Sequence, residues 1–310
     1  MAPSPALAEP SGRVDPEDRV QPSWHFMLDL MTYGTRLNPP GMNDWKCRPT
    51  RSHPRPVVLV HGTFVSQSSS WGSFSPAFRN AGYCVFGLTY SELDLPDLPF
   101  RVGGMTGIPR GADQLAAFVE RVRRRTGARK VDLVGHSQGG TVIAYYLKFR
   151  GGARRTANAV SLAGPVYPPQ RDAWVRLVSD LSLAFTSFQM GLLNQSSGAP
   201  DPRTVFVDLN RGGVAVRGPS YTTITTRYDE IAYPREISVL PKQRGRRVRN
   251  LLVQDICPND YADHISLAAD PNVFARIDNL LTPATARPIN CRRVLPFFGV
   301  DDSEESPRRQ

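Results

Sequence analysis

The chain has 310 residues, a formal net charge of +10 and 40% hydrophobic residues. These values suit one large folded domain with a sizeable core, and the sequence has no apolar run long enough to predict a membrane span. The basic residues are almost all arginine. The densest basic runs, 121–130 and 242–249, are not interleaved with aromatic residues, which argues against nucleic-acid binding. We interpret the charge as arginine codon bias or, alternatively, as attraction to an anionic surface such as a membrane or cell wall.

The two ends of the chain differ in composition from the rest. Residues 1–22 are rich in Pro, Ala and Ser, which predicts a disordered leader, and the charged residues 301–310 predict a flexible tail. No signal peptide is visible, but Ala6-Leu7-Ala8 resembles a cleavage site of the small-x-small type. We hypothesise that the reading frame starts upstream and that the chain keeps the end of a secretory signal. A plain disordered leader is the alternative.

The cysteines allow a disulfide framework. Cys47, Cys84, Cys257 and Cys291 permit two disulfides in any of three connectivities. Because no Cys-x-x-Cys pair occurs, zinc and thioredoxin chemistry are disfavoured. Four buried free thiols are the alternative, and we find no cluster of metal-ligating residues in the sequence.

Short apolar runs alternate with helical patterns along the middle of the chain. The predicted strands are 57–60, 83–88, 131–134, 159–162, 221–225 and 248–253. The predicted helices are 115–122, 138–149 and 273–281. This alternation predicts an α/β domain over residues 23–300, with a mostly parallel sheet flanked by helices on both faces. In such sheets, functional sites lie at the carboxyl ends of the strands.

One predicted strand runs directly into the sequence Gly-His-Ser-Gln-Gly-Gly at 135–140, and a helical pattern follows at once. A Gly-x-Ser-x-Gly motif between a strand and a helix is the nucleophile elbow of the α/β-hydrolase fold. The turn presents the oxygen of Ser137 at the top of the sheet, and Gly135 and Gly139 leave room where a side chain would clash. The alternative is a glycine-rich turn with an incidental serine. The context favours an α/β hydrolase whose nucleophile is Ser137.

A serine hydroxyl needs a base within hydrogen-bond reach, and the base needs an orienting carboxylate. In this fold the order along the chain is serine, acid, histidine. Of the five histidines, only His264 follows Ser137. His264 is therefore the predicted base, with an ordinary surface-loop histidine as the alternative.

The predicted acid follows the fifth predicted strand. Asp229 occupies that place, and Glu230 is the near alternative because a one-residue error in the loop would exchange them. Asp255 and Asp263 are weaker candidates, since both lie in the wrong segment for this chain order. A carboxylate that only caps a turn is the structural alternative for Asp229.

Acyl transfer places negative charge on a carbonyl oxygen, which backbone N–H groups must already face. One predicted donor is Gln138, the residue after the nucleophile. The other comes from the loop after the first predicted strand, where Thr63 is the prediction and Phe64 the alternative. We interpret His61 and His136 as structural residues of these loops.

The motifs quoted so far resemble the class 2 lipases of bacteria, in particular those of actinobacteria, and more distantly the small lipase A of bacilli. The resemblance covers roughly residues 44–282 and is weakest between 166 and 208. Its motifs in chain order are DWKC at 44–47, PRPVVLVHGT at 54–63, VDLVGHSQGG at 131–140, YYLK at 145–148, TRYDE at 226–230, and QDICP at 254–258 with DH at 263–264.

This resemblance implies a secreted enzyme that hydrolyses carboxylic esters, including acylglycerols, without an organic cofactor. It implies the triad Ser137, Asp229 and His264. It also implies two disulfides, Cys47–Cys84 and Cys257–Cys291. We expect a monomer that binds an ester or lipid substrate and makes transient contact with a lipid interface. The chain departs from the family pattern in lacking a visible signal peptide.

An apolar helical stretch at 174–193 lies inside a possible lid insertion, 166–208. One interpretation is a mobile lid that exposes its apolar face to lipid. The alternative is a helix packed permanently on the core.

Two rival functions remain open at this point. The same fold could carry an acyltransferase that passes the acyl group to an alcohol or a sugar. The chain could also be a catalytically silent, basic surface-binding protein, although a complete set of triad residues in the expected order argues against that interpretation.

Overall fold

A computed structural model of the protein describes residues 19–93, 101–168 and 202–301. The helices are α1 Phe26–Tyr33, α2 Gln67–Ser70, α3 Phe74–Asn80, α4 Ile108–Thr126, α5 Gln138–Phe149, α6 Pro202–Asn210, α7 Val253–Ile256 and α8 Pro271–Leu281. The strands are β1 Val57–Val60, β2 Val85–Leu88, β3 Val131–His136, β4 Thr156–Leu162, β5 Ser220–Thr225, β6 Arg247–Leu252, β7 Val294–Leu295 and β8 Gly299–Val300. The predicted helical stretch at 174–193, most of the leader and the tail lie outside the described residues.

Six strands form one sheet in the order β2-β1-β3-β4-β5-β6, and all its neighbouring pairs are parallel. The chain moves from β1 to one edge at β2, then crosses back to β3 and continues to the other edge. The direction of travel therefore reverses between β1 and β3. In open α/β sheets, ligands bind at such a switch point, outside the carboxyl ends of the strands. The prediction of a mostly parallel sheet flanked by helices is confirmed.

Strand β1 shows why an uninterrupted apolar run is needed here. Its sequence is Val-Val-Leu-Val, and all four residues are buried. Successive side chains of a strand point to opposite faces. Val57 and Leu59 join a core with α3 and α8 on one face, whereas Val58 and Val60 join a second core with α4 and α5 on the other. The strand is thus covered by helices on both sides.

Six predicted strand boundaries are wrong by one to three residues. β3 ends at His136 rather than at 134, β4 begins at Thr156 rather than at 159, and β5 and β6 each begin one residue before the prediction. β2 begins at Val85 rather than at 83, because Tyr83 still belongs to the turn after α3, where its N–H donates to the carbonyl oxygen of Phe78 at 3.0 Å. β6 ends at Leu252 rather than at 253, because Val253 is already the first residue of α7. The shifts at β2 and β6 do not move a candidate site residue.

All four cysteines are paired. Cys47–Cys84 joins the segment before β1 to the residue before β2, and Cys257–Cys291 joins the end of α7 to the segment after α8. These are the pairs that the family resemblance implies, and they exclude four free thiols. Within the described ranges, no helix combines the length and the apolar character that crossing a membrane would require.

Candidate active site

Ser137 is the single residue between β3 and α5, and its backbone is strained. Its φ is 52° and its ψ is −127°, a region that residues other than glycine rarely occupy. Two hydrogen bonds hold this conformation: the Ser137 N–H donates to Leu162 at 2.8 Å, and the Ser137 carbonyl accepts from Gly140 at 2.9 Å. The strand-to-helix turn therefore has the sharp geometry that the elbow motif predicts.

The flanking glycines let α5 begin in close contact with the sheet. A Cβ on Gly135 would lie 2.7 Å from the backbone of Gly139, and a Cβ on Gly139 would collide with the backbone at the end of β1. Both positions therefore exclude side chains, because the atoms they would meet are backbone atoms that cannot rotate away.

His264 lies in the loop between α7 and α8 and is paired with Asp229. Its Nδ1 atom is 3.0 Å from one carboxylate oxygen of Asp229 and 3.1 Å from the other, and both side chains are buried. Asp229 Oδ1 also accepts the backbone N–H groups of Ile231 and Ala232, at 3.0 and 2.6 Å. Because Nδ1 faces only acceptors, it carries the proton and leaves Nε2 free to accept one.

Burial and charge act in opposite directions on this pair. Burial lowers the pKa of the His264 imidazole, but the carboxylates of Asp229, Glu230 and Asp263 together outweigh that effect and hold the pKa above its usual value. Burial raises the pKa of the Asp229 carboxyl, but His264 and the hydrogen bonds to Asp229 outweigh that effect and hold it below its usual value. The pair therefore favours an imidazolium beside a carboxylate.

The other three acidic candidates do not contact the imidazole ring. Glu230 accepts the backbone N–H of His264 instead, at 3.1 Å. Asp255 is exposed and lies 3.8 Å from Arg227. Asp263 is buried but accepts hydrogen bonds from Ser266 and from the backbone N–H of Phe297.

The nucleophile elbow lies directly beside His264. His136, the residue before Ser137, has its Nε2 atom 2.8 Å from the carbonyl oxygen of His264, and the two rings are 5.0 Å apart. Within the described part of the chain, the Ser137 hydroxyl makes no hydrogen bond to the imidazole of His264. Catalytic hydrogen bonds are often longer in a free enzyme than in its substrate complex.

Two neighbouring N–H groups in the loop after β1 differ in their hydrogen bonding. The Phe64 N–H donates to the carbonyl oxygen of Gly103 at 3.0 Å. The Thr63 N–H has no acceptor among the described residues. Gln138 is the first residue of α5, where N–H groups have no partner within the helix. Of the two loop candidates, Thr63 is therefore the one with an N–H group available to a substrate oxygen.

Sequence reasoning missed the residues that support this loop from behind. Gly104 has a φ of 72°, and a Cβ there would lie 2.9 Å from the carbonyl oxygen of Gly62 and 3.0 Å from Thr63 Cα. The hydroxyl of Tyr90 donates to the side-chain oxygen of Gln138 at 2.8 Å. A glycine pair outside every predicted element was the signal that could have drawn attention to Gly103 and Gly104.

The two histidines next to the site, His61 and His136, are buried and each ring is hydrogen-bonded to backbone groups. His61 is buried, its Nδ1 donates to the carbonyl oxygen of Gly62 at 2.7 Å, and its Nε2 accepts the N–H of Tyr90 at 3.2 Å. Burial lowers the pKa of His61 to about 4 and that of His136 to about 3, so both rings stay neutral near neutral pH. Across the described residues, no group of three or more His, Cys, Asp or Glu side chains is arranged to hold a metal ion.

Residues 54–168, which carry β1 and the nucleophile elbow, match the family model for class 2 lipases. Over these residues the chain is therefore similar to the class 2 lipases. A triacylglycerol lipase of Pseudarthrobacter phenanthrenivorans is 34% identical over 95 residues, which are 29% of this chain and 27% of that protein. One of Pseudomonas fragi is 28% identical over 156 residues, which are 47% of this chain and 48% of that protein. The chain thus spans about a quarter to a half of the length of the curated relatives it matches.

A solved structure extends the comparison over nearly the whole chain. Aspergillus fumigatus lipase B superimposes with a TM-score of 0.56 at 16% sequence identity, covering 94% of this chain and 64% of that one. At this identity the likeness establishes the fold alone, which is the α/β-hydrolase fold. The class 2 lipase match includes Ser137, Thr63 and Gln138, whereas Asp229 and His264 lie beyond it.

Proposed function

We propose that this protein hydrolyses carboxylic esters, acylglycerols among them, through an acyl-enzyme formed on Ser137. The observation that carries the proposal is the buried pair of His264 and Asp229 beside the nucleophile elbow. This arrangement is the one that activates a serine hydroxyl. The names of the matched lipases support triacylglycerols as the substrate class.

The first half-reaction forms the acyl-enzyme. His264 Nε2 takes the proton of Ser137 as the serine oxygen attacks the ester carbonyl carbon. The carbonyl oxygen becomes an oxyanion and accepts hydrogen bonds from the N–H groups of Thr63 and Gln138. The bond to the alcohol oxygen then breaks, and the alcohol leaves with the proton from His264. Asp229 fixes the ring orientation and stabilises the imidazolium that forms in between.

The second half-reaction returns the enzyme to its starting state. His264 takes a proton from water, and the resulting hydroxide attacks the acyl carbon. The oxyanion that forms accepts hydrogen bonds from the same two N–H groups. When the bond to Ser137 breaks, His264 returns the proton to the serine oxygen, and the carboxylic acid leaves.

We also propose that the protein acts outside the cell. Two disulfides use all four cysteines, and such bonds persist in oxidising compartments. Mass spectrometry of culture supernatant from the natural host tests this. Protein confined to the cytosol with reduced cysteines would contradict it.

Substitution of Ser137 tests the reaction. Ser137→Ala should lower kcat for a soluble nitrophenyl ester by about 10⁴-fold or more and abolish labelling by a fluorophosphonate probe. Ser52→Ala is the matched control, because Ser52 lies in an exposed turn before β1. Near-parent turnover by a folded Ser137→Ala variant would exclude this nucleophile. Absence of labelling of the folded parent protein would favour a catalytically silent protein, and ester transfer to an added alcohol in preference to water would favour an acyltransferase.

A further inference from the structure

The backbone of His264 is held at both of its polar groups by side chains. Glu230 Oε2 accepts the His264 N–H at 3.1 Å, and His136 Nε2 donates to the His264 carbonyl oxygen at 2.8 Å. Glu230 directly follows Asp229, and His136 directly precedes Ser137. The two side chains that hold the base therefore come from the chain neighbours of the acid and of the nucleophile.

We propose that Glu230 and His136 are positioning residues that fix the backbone of His264, and that the carboxylate of Glu230 also stabilises the imidazolium form of His264. The inference rests on the proposed function of the Ser137 site. We call these two side chains the His264 clamp.

If Glu230 served only to stabilise the fold, a charged side chain at this position would be unfavourable. Its Oε1 atom is buried and has no hydrogen-bond partner in the described part of the chain. An unpaired buried polar atom costs free energy, and the neighbouring carboxylate of Asp263 repels the charged form. Burial, with Asp263, raises the pKa of Glu230 to about 7. A neutral amide would accept the same His264 N–H without the cost of a buried charge and without repulsion from Asp263, so the charge needs another explanation.

The charge has a defined effect on the base. Among the described residues, the charged groups that act on the His264 imidazole are the carboxylates of Asp229, Glu230 and Asp263, and each raises the pKa of His264. Glu230 therefore supports the same imidazolium that forms while the serine oxygen attacks. Because its own pKa lies near neutrality, this support is present above about pH 7 and is lost as the pH falls.

The hydrogen bonds of the clamp have a separate effect. The side-chain torsions of a histidine place its imidazole ring relative to its own Cα. Hydrogen bonds that fix the peptide groups on both sides of that Cα therefore fix the point from which the ring is positioned. His136 is suited to this role because burial lowers its pKa to about 3, which keeps it neutral with Nε2 as a constant donor. A displacement of about 1 Å in a catalytic group can lower the rate about 10²-fold.

Two substitutions of Glu230 separate these effects. Glu230→Gln keeps an acceptor for the His264 N–H and removes the charge, whereas Glu230→Ala removes both. Glu236→Gln is the matched control, because Glu236 lies in the same segment but is exposed and pairs with Arg235 at 3.1 Å. The readouts are kcat and KM for a soluble short-chain nitrophenyl ester, and the pKa of His264 measured by NMR on labelled imidazole.

We expect both Glu230 variants to lower the NMR pKa of His264 and the control to leave it unchanged. Glu230→Ala should lower kcat about 10²-fold at pH 8 with KM within about twofold of the parent. Glu230→Gln should restore kcat at least about tenfold over Glu230→Ala, since its amide oxygen accepts the same N–H. His136→Phe should lower kcat without lowering the pKa of His264, because it removes a neutral donor.

Unchanged kcat and His264 pKa in folded Glu230→Ala would overturn the inference. If that variant does not fold, an unchanged His264 pKa in Glu230→Gln would overturn it. The NMR titration does not depend on turnover. If the parent protein hydrolyses no ester but the Glu230 variants still lower the pKa of His264 relative to the parent, the clamp would be supported and the proposed function excluded.

Discussion

A Cβ on Gly139 would lie 2.2 Å from the carbonyl oxygen of Val60, the last residue of β1. Real Cβ atoms do not approach backbone oxygens so closely. The first turn of α5 and the end of β1 can therefore stay in contact only while residue 139 is glycine. This contact places the Gln138 N–H next to the loop that carries Thr63.

We expect Gly139→Ala to destabilise the protein by about 3 kcal/mol or more, because the helix must move away from β1. Chemical denaturation measures this free energy. Gly127→Ala is the control: Gly127 has a φ of 73° with no atom within 4 Å of its Cβ position, so the cost there should be only about 1–2 kcal/mol. Equal losses in the two variants would contradict the close contact.

Asp229→Asn should lower kcat about 10³- to 10⁴-fold, because the amide cannot stabilise an imidazolium and favours the wrong tautomer of His264. Asp255→Asn makes the same change on an exposed aspartate close to His264 in sequence, and it should leave kcat within about twofold. Steady-state kinetics on a soluble ester compares them. A comparable loss in both variants, or in neither, would remove Asp229 from the role of acid.

The pH dependence of kcat/KM should reflect the raised pKa of His264. Hydrolysis needs a neutral imidazole, so kcat/KM should fall as the pH decreases through a midpoint above the ordinary histidine value of 6.5. A profile from pH 5 to pH 9 in constant ionic strength measures this midpoint. In Asp229→Asn the midpoint should move to lower pH. A midpoint below 6.5 in the parent protein would show that burial, and not Asp229, dominates.

Stability should depend on pH in a different way. His264, with its pKa raised on folding, contributes stability that is complete below 6.5 and is lost as the pH rises through the folded pKa. Asp229, with its pKa lowered, contributes stability that is complete above 3.8 and is lost as the pH falls through the folded pKa. The difference in unfolding free energy between parent and Asp229→Asn should therefore be largest between these values. A difference that grows steadily toward alkaline pH would contradict this expectation.

The two disulfides provide a matched pair for stability and activity. They close loops of similar length, with sequence separations of 37 for Cys47–Cys84 and 34 for Cys257–Cys291. Replacing either pair with serine should cost about 3–4 kcal/mol in unfolding free energy. Only the second loop contains His264, so its removal should also lower kcat at temperatures where both variants are folded. Equal kcat values in the two variants would show that this disulfide does not constrain His264.

Much of the fold could be predicted from local patterns. The sheet follows from short apolar runs such as Val57–Val60, whose residues have to be buried on both faces. α5 and the turn before it follow from the elbow motif, and the helical spacing of Leu115, Val119 and Val122 indicates the buried face of α4, where all three are buried. The errors at β2 and β6 concern boundary residues, where turn hydrogen bonds compete with the strand.

The sequence predicted which residue types form the site, but it could not choose between candidates that are adjacent in the chain. Asp229 and Glu230 are adjacent in sequence, and only the hydrogen bonds show that one contacts the ring of His264 and the other its backbone. The sequence also could not choose between Thr63 and Phe64 as the N–H donor. The Phe64 N–H donates to the carbonyl oxygen of Gly103, which lies 39 positions later in the chain.

By itself, the sequence determined the strands, the elbow at Ser137 and the order of the candidate residues, because these depend on periodicity and on local backbone chemistry. The tertiary structure alone decided which carboxylate faces the imidazole of His264 and which N–H groups remain free. Those choices depend on the directions in which neighbouring groups point, and contacts between distant segments set these directions.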